Sequence, residues 1–292
     1  MFHAGTRRPS LHAQCIAAIC TFLIFASVVY AFDVARTSSI QMSSVSNSRR
    51  TFFAKGAAIA AAGLGLSTPA KAEDETSIDV YFGCGCFWHV QHEFVEAERR
   101  ILGRSDSEIT SRAGYAGGKA GAKNGKVCYH NALSISDYGS LGHAEVVSLK
   151  IPPSKLSEFV TEYCNLFSEQ GYRPDQFGDR GTEYRNLVGI PGGVDGSFTK
   201  QLVDASTKAG DKLNFARGKG DDSDARALVW VMDSNQYPFF VAEQYHQFHD
   251  GFNFGENYPN SYNNLANKLN KEGKLGKSEC PNGLIGVGAL GL

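Results

Sequence analysis

The residue with the most chemistry to offer is Cys86, within Gly83-Cys84-Gly85-Cys86-Phe87-Trp88. A short strand-like run, Ile78 to Phe82, precedes it, and a helical pattern opens from it. Val90, Phe94, Ala97 and Ile101 recur at offsets of 4, 3 and 4 on one helix face. Glu96 and Arg100 stand on the other face in the favourable i,i+4 order. Cys86 is therefore expected in the first turn of a helix that leaves a strand. The unpaired amides and positive dipole end there favour a thiolate over a thiol. Phe87 and Trp88 would give that sulfur an apolar floor, suited to a small substrate with a methyl group and one polar atom. On spacing alone, the commoner reading of a cysteine is a buried, inert thiol.

Three further words carry polar groups. Gly114-Tyr115-Ala116-Gly117-Gly118 closes a second strand with a turn whose glycines permit close backbone approach. Taken alone, it leaves Tyr115 as a core residue. Gly142-His143-Ala144-Glu145-Val146-Val147 opens a strand in which Glu145 shares a face with Val147, and a Glu there is usually solvated. Asp179-Arg180-Gly181-Thr182-Glu183-Tyr184-Arg185 is, by itself, an ordinary glycine turn. A looser stretch, Phe240 to Gln247, reads equally well as a helix start.

Together these words resemble, in type and order, the A-type peptide-methionine (S)-S-oxide reductases. Gly-Cys-Phe-Trp after a strand matches the active-site motif of that family, and Asp-x-Gly-Thr-x-Tyr-Arg fits at every fixed position. His89 stands where a glycine is usual and Gln91 where a glutamate is usual, which marks a divergent subgroup. The resemblance implies Cys86 as nucleophile, with Phe87 and Trp88 holding the S-methyl group. It implies Glu145 as the acid that protonates the sulfoxide oxygen, Tyr115 and Tyr184 as phenols bonded to that oxygen, and Asp179 as part of the polar network. The chemical need is plain: a sulfoxide oxygen leaves poorly until protonated, and a carboxyl group kept neutral by apolar surroundings can supply the proton. Cys86 would become a sulfenic acid, condense with a second thiol, and be regenerated by a thioredoxin-like dithiol. The expected substrate is the S-epimer of methionine sulfoxide, free or in proteins, and no metal or organic cofactor is required. The rival class is a non-catalytic redox-sensing or binding module on the same fold. A degenerate relative should have lost members of the set Cys86, Tyr115, Glu145, Asp179 and Tyr184, and all five are present.

Residues 73–292 hold five cysteines: Cys84, Cys86, Cys128, Cys164 and Cys280. Cys164 falls between core positions of a helix and reads as structural. Cys84-Gly85-Cys86 is too short for a comfortable disulfide. A metal site would recruit Cys84, Cys86, Cys128 and His130, but it lacks the paired C-x2-C spacing of usual zinc sites. Cys280 lies in a glycine-rich tail, with Gly273, Gly276, Gly283, Gly286 and Gly288 around it. The resemblance assigns a tail cysteine as the resolving thiol, here Cys280 by position, with Cys128 as its rival.

The elements expected to carry these residues are strands at about 78–83, 109–114, 143–151, 185–190 and 226–232, and helices at about 86–102, 154–169 and 196–216. Strands alternating with helices give an α/β or α+β sandwich. The family implies an α+β two-layer sandwich with a split β-α-β, ferredoxin-like core and a long irregular C-terminal tail. Residues 119–141 read as a loop at the rim of the pocket. Removing the 7 basic and 1 acidic residues of positions 1–72 from totals of 29 and 30 leaves 22 and 29, a formal charge of -7 for residues 73–292. That balance argues against nucleic acid as a partner.

The first 72 residues read as addresses. Residues 1–31 place Arg7 and Arg8 before an apolar run ending Val29-Tyr30-Ala31, as in a cleaved signal peptide. Residues 32–47 are serine-rich and almost free of acid, like a plastid transit segment. Residues 48–72 carry Arg49-Arg50, an Ala/Gly-rich run and Ala70-Lys71-Ala72, resembling a twin-arginine export signal. In series these imply export, with the thylakoid lumen as destination, and a mature catalytic domain 73–292 without stable membrane insertion.

Overall fold

The computed structural model describes residues 76–119, 121, 125–176, 178–251 and 257–281. The three address segments, and the glycines from Gly283 onward, lie outside the described residues.

Alternating apolar positions build a central strand. In β1 (Ile78–Gly83), Val80 and Phe82 face one side and Tyr81 the other. β3 (Ala144–Ile151) and β4 (Leu187–Ile190) flank it, both antiparallel. β2 (Arg112–Ala116) pairs antiparallel with β3, and its other edge takes β7 (Phe240–Val241). Beyond β4, β6 (Leu228–Asp233) and β5 (Asn214–Arg217) add in parallel. The seven strands run in the order β5-β6-β4-β1-β3-β2-β7. The fold is a mixed α+β structure. β5 and β7 are too short, at 4 and 2 residues, to show an alternation in sequence. The helix expected over 196–216 stops early for the same reason, since β5 claims its last positions.

The helices are α1 (Phe87–Leu102), α2 (Leu156–Asn165), α3 (Thr199–Lys208) and α4 (Asn260–Lys271). Val90, Phe94 and Ala97 of α1, with Phe159, Val160 and Tyr163 of α2, pack against Val80 and Phe82 in one buried cluster. A smaller cluster on the opposite face joins Tyr81, Val146, Leu187 and Met232. α4 corrects the expectation of an irregular tail: Tyr262, Leu265 and Leu269 bury one face of a 12-residue helix beside Val95 of α1. Glu96 and Arg100 do not pair with each other. Arg99 takes Glu96 at 2.7 Å, and Arg100 reaches Glu162 of α2 at 2.7 Å.

Both ends of α1 are fixed. At its C-terminus, Glu98 is fully buried and accepts hydrogen bonds from the Thr110 and Ser111 amides and from Arg104. Gly103 closes the helix with φ 64°. At its N-terminus Gly85, at φ 87°, donates its amide to the Tyr184 carbonyl at 3.0 Å. A side chain there would collide with Gln176, so both the conformation and the space require glycine.

Candidate active site

Cys86 is the N-cap of α1: its φ and ψ are -64° and 129°, and its carbonyl accepts the Val90 amide. The next amide, Phe87 N–H, donates at 2.9 Å to Oε2 of Glu145. Cys86 and Glu145 are thus brought together by one hydrogen bond from the start of α1 to β3. Glu145 is 2% exposed, and its neighbour on β3, Val147, also faces the core. Burial raises the Glu145 carboxyl to about 8; the Phe87 amide and the Tyr138 hydroxyl pull the other way, and the charges of Asp179 and Glu183 push further up. Near neutral pH it carries its proton.

The same surroundings overturn the expected thiolate. Burial and then the Glu145 charge push the Cys86 thiol well above its ordinary range, and the Trp88 and His89 amides at the helix start only partly offset them. A helix end supplies a fraction of a charge, which does not compensate for removing a full thiolate from water. Cys86 therefore rests as a thiol.

Phe87 and Trp88 both meet His246, a residue of the stretch that read in sequence as a helix start. Trp88 Nε1 donates to His246 Nδ1 at 3.2 Å, and the Phe87 ring lies 5.0 Å from the His246 ring. Burial, then the nearby His249, pull His246 down to about 3, so it stays neutral and can accept that bond. Trp88 stacks flat on His249, with centroids 3.5 Å apart. The stretch Phe240 to Gln247 is thus a wall of the site, made of the short strand β7 and a 3-10 turn at Gln244–His246 rather than a helix start. Gln91 explains its own departure from the family pattern. Its Nε2 donates to Ser111 O and Gln247 Oε1, while its Oε1 accepts the Phe248 amide. A carboxylate could not donate to either acceptor.

The tyrosines are arranged differently from expectation. Tyr115 donates its hydroxyl to Glu243 Oε2 at 2.9 Å. The hydroxyl nearest the acid belongs to Tyr138, which donates to Glu145 Oε1 at 3.4 Å and stacks on Tyr115 with centroids 4.6 Å apart. Part of the segment expected at the rim is therefore inside the site, because Tyr138 is fully buried there. Tyr184 stands half-buried; burial raises its phenol, and so do the Glu145, Tyr129, Asp179 and Cys86 charges around it. Asp179 is also raised by burial, which the Arg173 and Arg180 charges only partly oppose. Arg185 joins three of the sequence words: its guanidinium donates to Thr182 O, Gly117 O and Gly142 O.

The two candidate resolving cysteines are bonded to each other. Cys128 and Cys280 form a disulfide across 152 residues of sequence, so neither offers a free thiol in this state. The swinging tail expected around Cys280 is pinned at that residue. Cys84, Cys86 and Cys164 are free, and Cys84 and Cys164 are buried. The four-residue metal set read from the sequence is not assembled, since Cys128 is in the disulfide and His130 is bonded to Asp137 and Glu183.

No family model matches the chain. A Geobacter metallireducens protein named peptide methionine sulfoxide reductase MsrA is 30% identical over 171 residues, covering 57% of this chain and 85% of its own length. A protein of the same name from Corynebacterium glutamicum is 29% identical, covering 58% of this chain and 66% of its own length. Among solved structures, methionine sulfoxide reductase A of Corynebacterium diphtheriae aligns over 59% of this chain and 73% of its own at 19% identity, with a TM-score of 0.36. Mxr1 from Saccharomyces cerevisiae in reduced form aligns over 63% and 92% at 21% identity, with a TM-score of 0.38.

Proposed function

The chain belongs to the peptide methionine sulfoxide reductase A family and is an oxidoreductase, and from that premise we propose that it reduces the S-epimer of methionine sulfoxide, free or within proteins, through a sulfenic acid on Cys86. The observation that carries this reading is the buried Glu145 carboxyl, held by the amide next to Cys86 in surroundings that raise its affinity for a proton. The Cys86 sulfur, once ionised, attacks the sulfoxide sulfur while Glu145 gives its proton to the oxygen. Methionine leaves with two electrons from Cys86, which keeps the oxygen as S–OH. Phe87, Trp88 and His246 present the apolar wall for the methyl group. Turnover with dithiothreitol on separated epimers tests the reading: the S-epimer is consumed and the R-epimer remains, and equal rates on both would sink it.

The disulfide supports a route for recycling. Cys280 attacks the sulfenic acid, water leaves, and Cys128 then displaces Cys86 from the mixed disulfide. The products are a free Cys86 thiol and the Cys128–Cys280 bond, which a thioredoxin-like dithiol reduces. Glu243 links this bond to the site, since it accepts the amide of Tyr129, next to Cys128, and the Tyr115 hydroxyl. Cys280→Ser should release one equivalent of methionine, stall with thioredoxin and trap a sulfenic acid on Cys86. Cys128→Ser should instead trap a Cys86–Cys280 disulfide, and peptide mapping reads both. Unimpaired thioredoxin-driven cycling in either variant would remove that cysteine from the route.

The central strand order β4-β1-β3-β2, with α1 and α2 as crossovers, supports reading the core as two interleaved split β-α-β units of ferredoxin-like type. No helix among the described residues is long and apolar enough to cross a membrane. For residues 1–72 the proposal remains export to the thylakoid lumen. A reporter fused to them should arrive there, and Arg49→Lys with Arg50→Lys should leave it on the stromal side. N-terminal sequencing that found a mature start at Phe32 would show the second signal to be unused.

A further inference from the structure

If Glu145 is the acid that protonates the sulfoxide oxygen, it must regain a proton in every cycle, and its own surface is almost closed to water. One carboxylate oxygen accepts the Phe87 amide, and the other accepts the Tyr138 hydroxyl at 3.4 Å. That hydroxyl also lies 3.4 Å from Glu183 Oε2. Glu183 Oε2 in turn lies 3.1 Å from His130 Nε2, and His130 Nδ1 lies 2.7 Å from Asp137 Oδ2. The His130 side chain is 45% exposed. Polar atoms therefore run without a gap from solvent to the buried acid.

We propose that His130, Glu183 and Tyr138 form a proton path that reloads Glu145 from solvent. The idea rests on the role of Glu145 argued above and assigns a function to the segment between β2 and β3, which supplies His130, Asp137 and Tyr138. After the chemical step Glu145 is a carboxylate and Cys86 a sulfenic acid. A proton handed to Glu183 by His130 passes on to the Tyr138 oxygen as Tyr138 gives its own proton to Glu145. Tyr138 begins and ends neutral, so no phenolate forms. The His130 imidazolium refills Glu183, and the imidazole left behind takes up a proton from hydronium or a protonated buffer molecule in solvent. The proton that enters balances the one that Cys86 released on ionising.

The surroundings give this path its direction. The side-chain charges that act on Glu145 come from acids, phenols and a thiol, namely Asp179, Glu183, Tyr115, Tyr129, Tyr138, Tyr184 and Cys86, so the carboxylate readily takes its proton back. His130 faces Asp137 and Glu183. Burial lowers its affinity for a proton, but those two acids outweigh burial and hold it above the ordinary histidine range. Gly139 keeps the space open, because a side chain there would overlap the Glu183 carboxyl.

The test is a pH jump on the full reduced chain. Enzyme equilibrated at alkaline pH, with Glu145 ionised, is mixed rapidly into neutral buffer with methionine sulfoxide, and methionine is followed by quenched flow. Each variant is its own reference, equilibrated at neutral pH before mixing. The wild type should show no lag. Tyr138→Phe, Glu183→Gln and His130→Asn should each show a lag of at least about tenfold over the first-turnover time, within the range of general acid–base effects. Added imidazole, a small proton carrier, should shorten it. A lag absent from all three variants would overturn the path. So would a slow first turnover that neutral equilibration and imidazole leave unchanged, which marks a merely structural role. Glu145→Gln separates the two ideas: if it reacts at the wild-type rate the acid role fails, whereas a slow Glu145→Gln beside lag-free relay variants fails the path alone.

Discussion

Cys86→Ser will form no methionine from methionine sulfoxide, either in a single turnover or with dithiothreitol in excess. The reason is one of electrons as much as of ionisation. Reduction of a sulfoxide needs a two-electron donor, and sulfur supplies them by becoming a sulfenic acid, a state with no counterpart for a serine oxygen. The hydroxyl also has no comparable anion near neutral pH. Cys86 is only partly buried and makes no side-chain cap bond, so the substitution leaves the start of α1 intact. Circular dichroism should match the wild type, and methionine release above the uncatalysed rate would remove the central claim.

Glu145→Gln will slow methionine formation by about 10²–10⁴-fold, the usual worth of a positioned proton donor. The amide oxygen can still accept the Phe87 amide, so substrate affinity should change little and the loss should fall on the chemical step. The pH profile gives the sign. The reacting pair needs Cys86 ionised and Glu145 protonated, and both affinities are raised. In the wild type the single-turnover rate climbs as pH approaches about 8 from below, then falls at higher pH once the pair has lost both protons. In Glu145→Gln the descending limb should vanish, because no acid remains to be lost. Single-turnover kinetics across pH read this directly, and a wild-type sulfenic acid formation rate in the variant would refute the role.

What could be read from the chain alone was local. The step from β1 to α1 is legible in a strand-like run followed by a 3.6-residue period, which puts Cys86 at the helix start without any distant contact; the structure makes it the N-cap, one position before the first turn. Glu145 needed the family pattern, since alternation by itself leaves a strand glutamate solvated. The partners of these two residues could not be found that way. His246 meets Trp88 across 158 positions and Glu243 meets Tyr115 across 128. Tyr138 sits in a stretch with no periodicity, and a phenol in such a stretch looks like any loop residue. The expected thiolate failed for a related reason: the helix end is legible in sequence, but the burial that opposes it depends on every element packed around the sulfur.

The bond between Cys128 and Cys280 closes residues 128–280 into a covalent ring, with a linear arm of residues 1–127 before it and a short segment after it. Cys86, Phe87, Trp88 and Tyr115 belong to the arm, whereas Glu145, Asp179, Tyr184, Glu243 and His246 belong to the ring. Synthesis proceeds from the N-terminus, so four of the five cysteines after residue 73 emerge before the one that closes the ring. During that interval the mates within residues 73–292 open to Cys128 are Cys84, Cys86 and Cys164, and a bond to Cys86 would block the proposed nucleophile. In the folded chain Cys84 and Cys164 are buried, so two of the three wrong mates are withdrawn wherever that packing has formed.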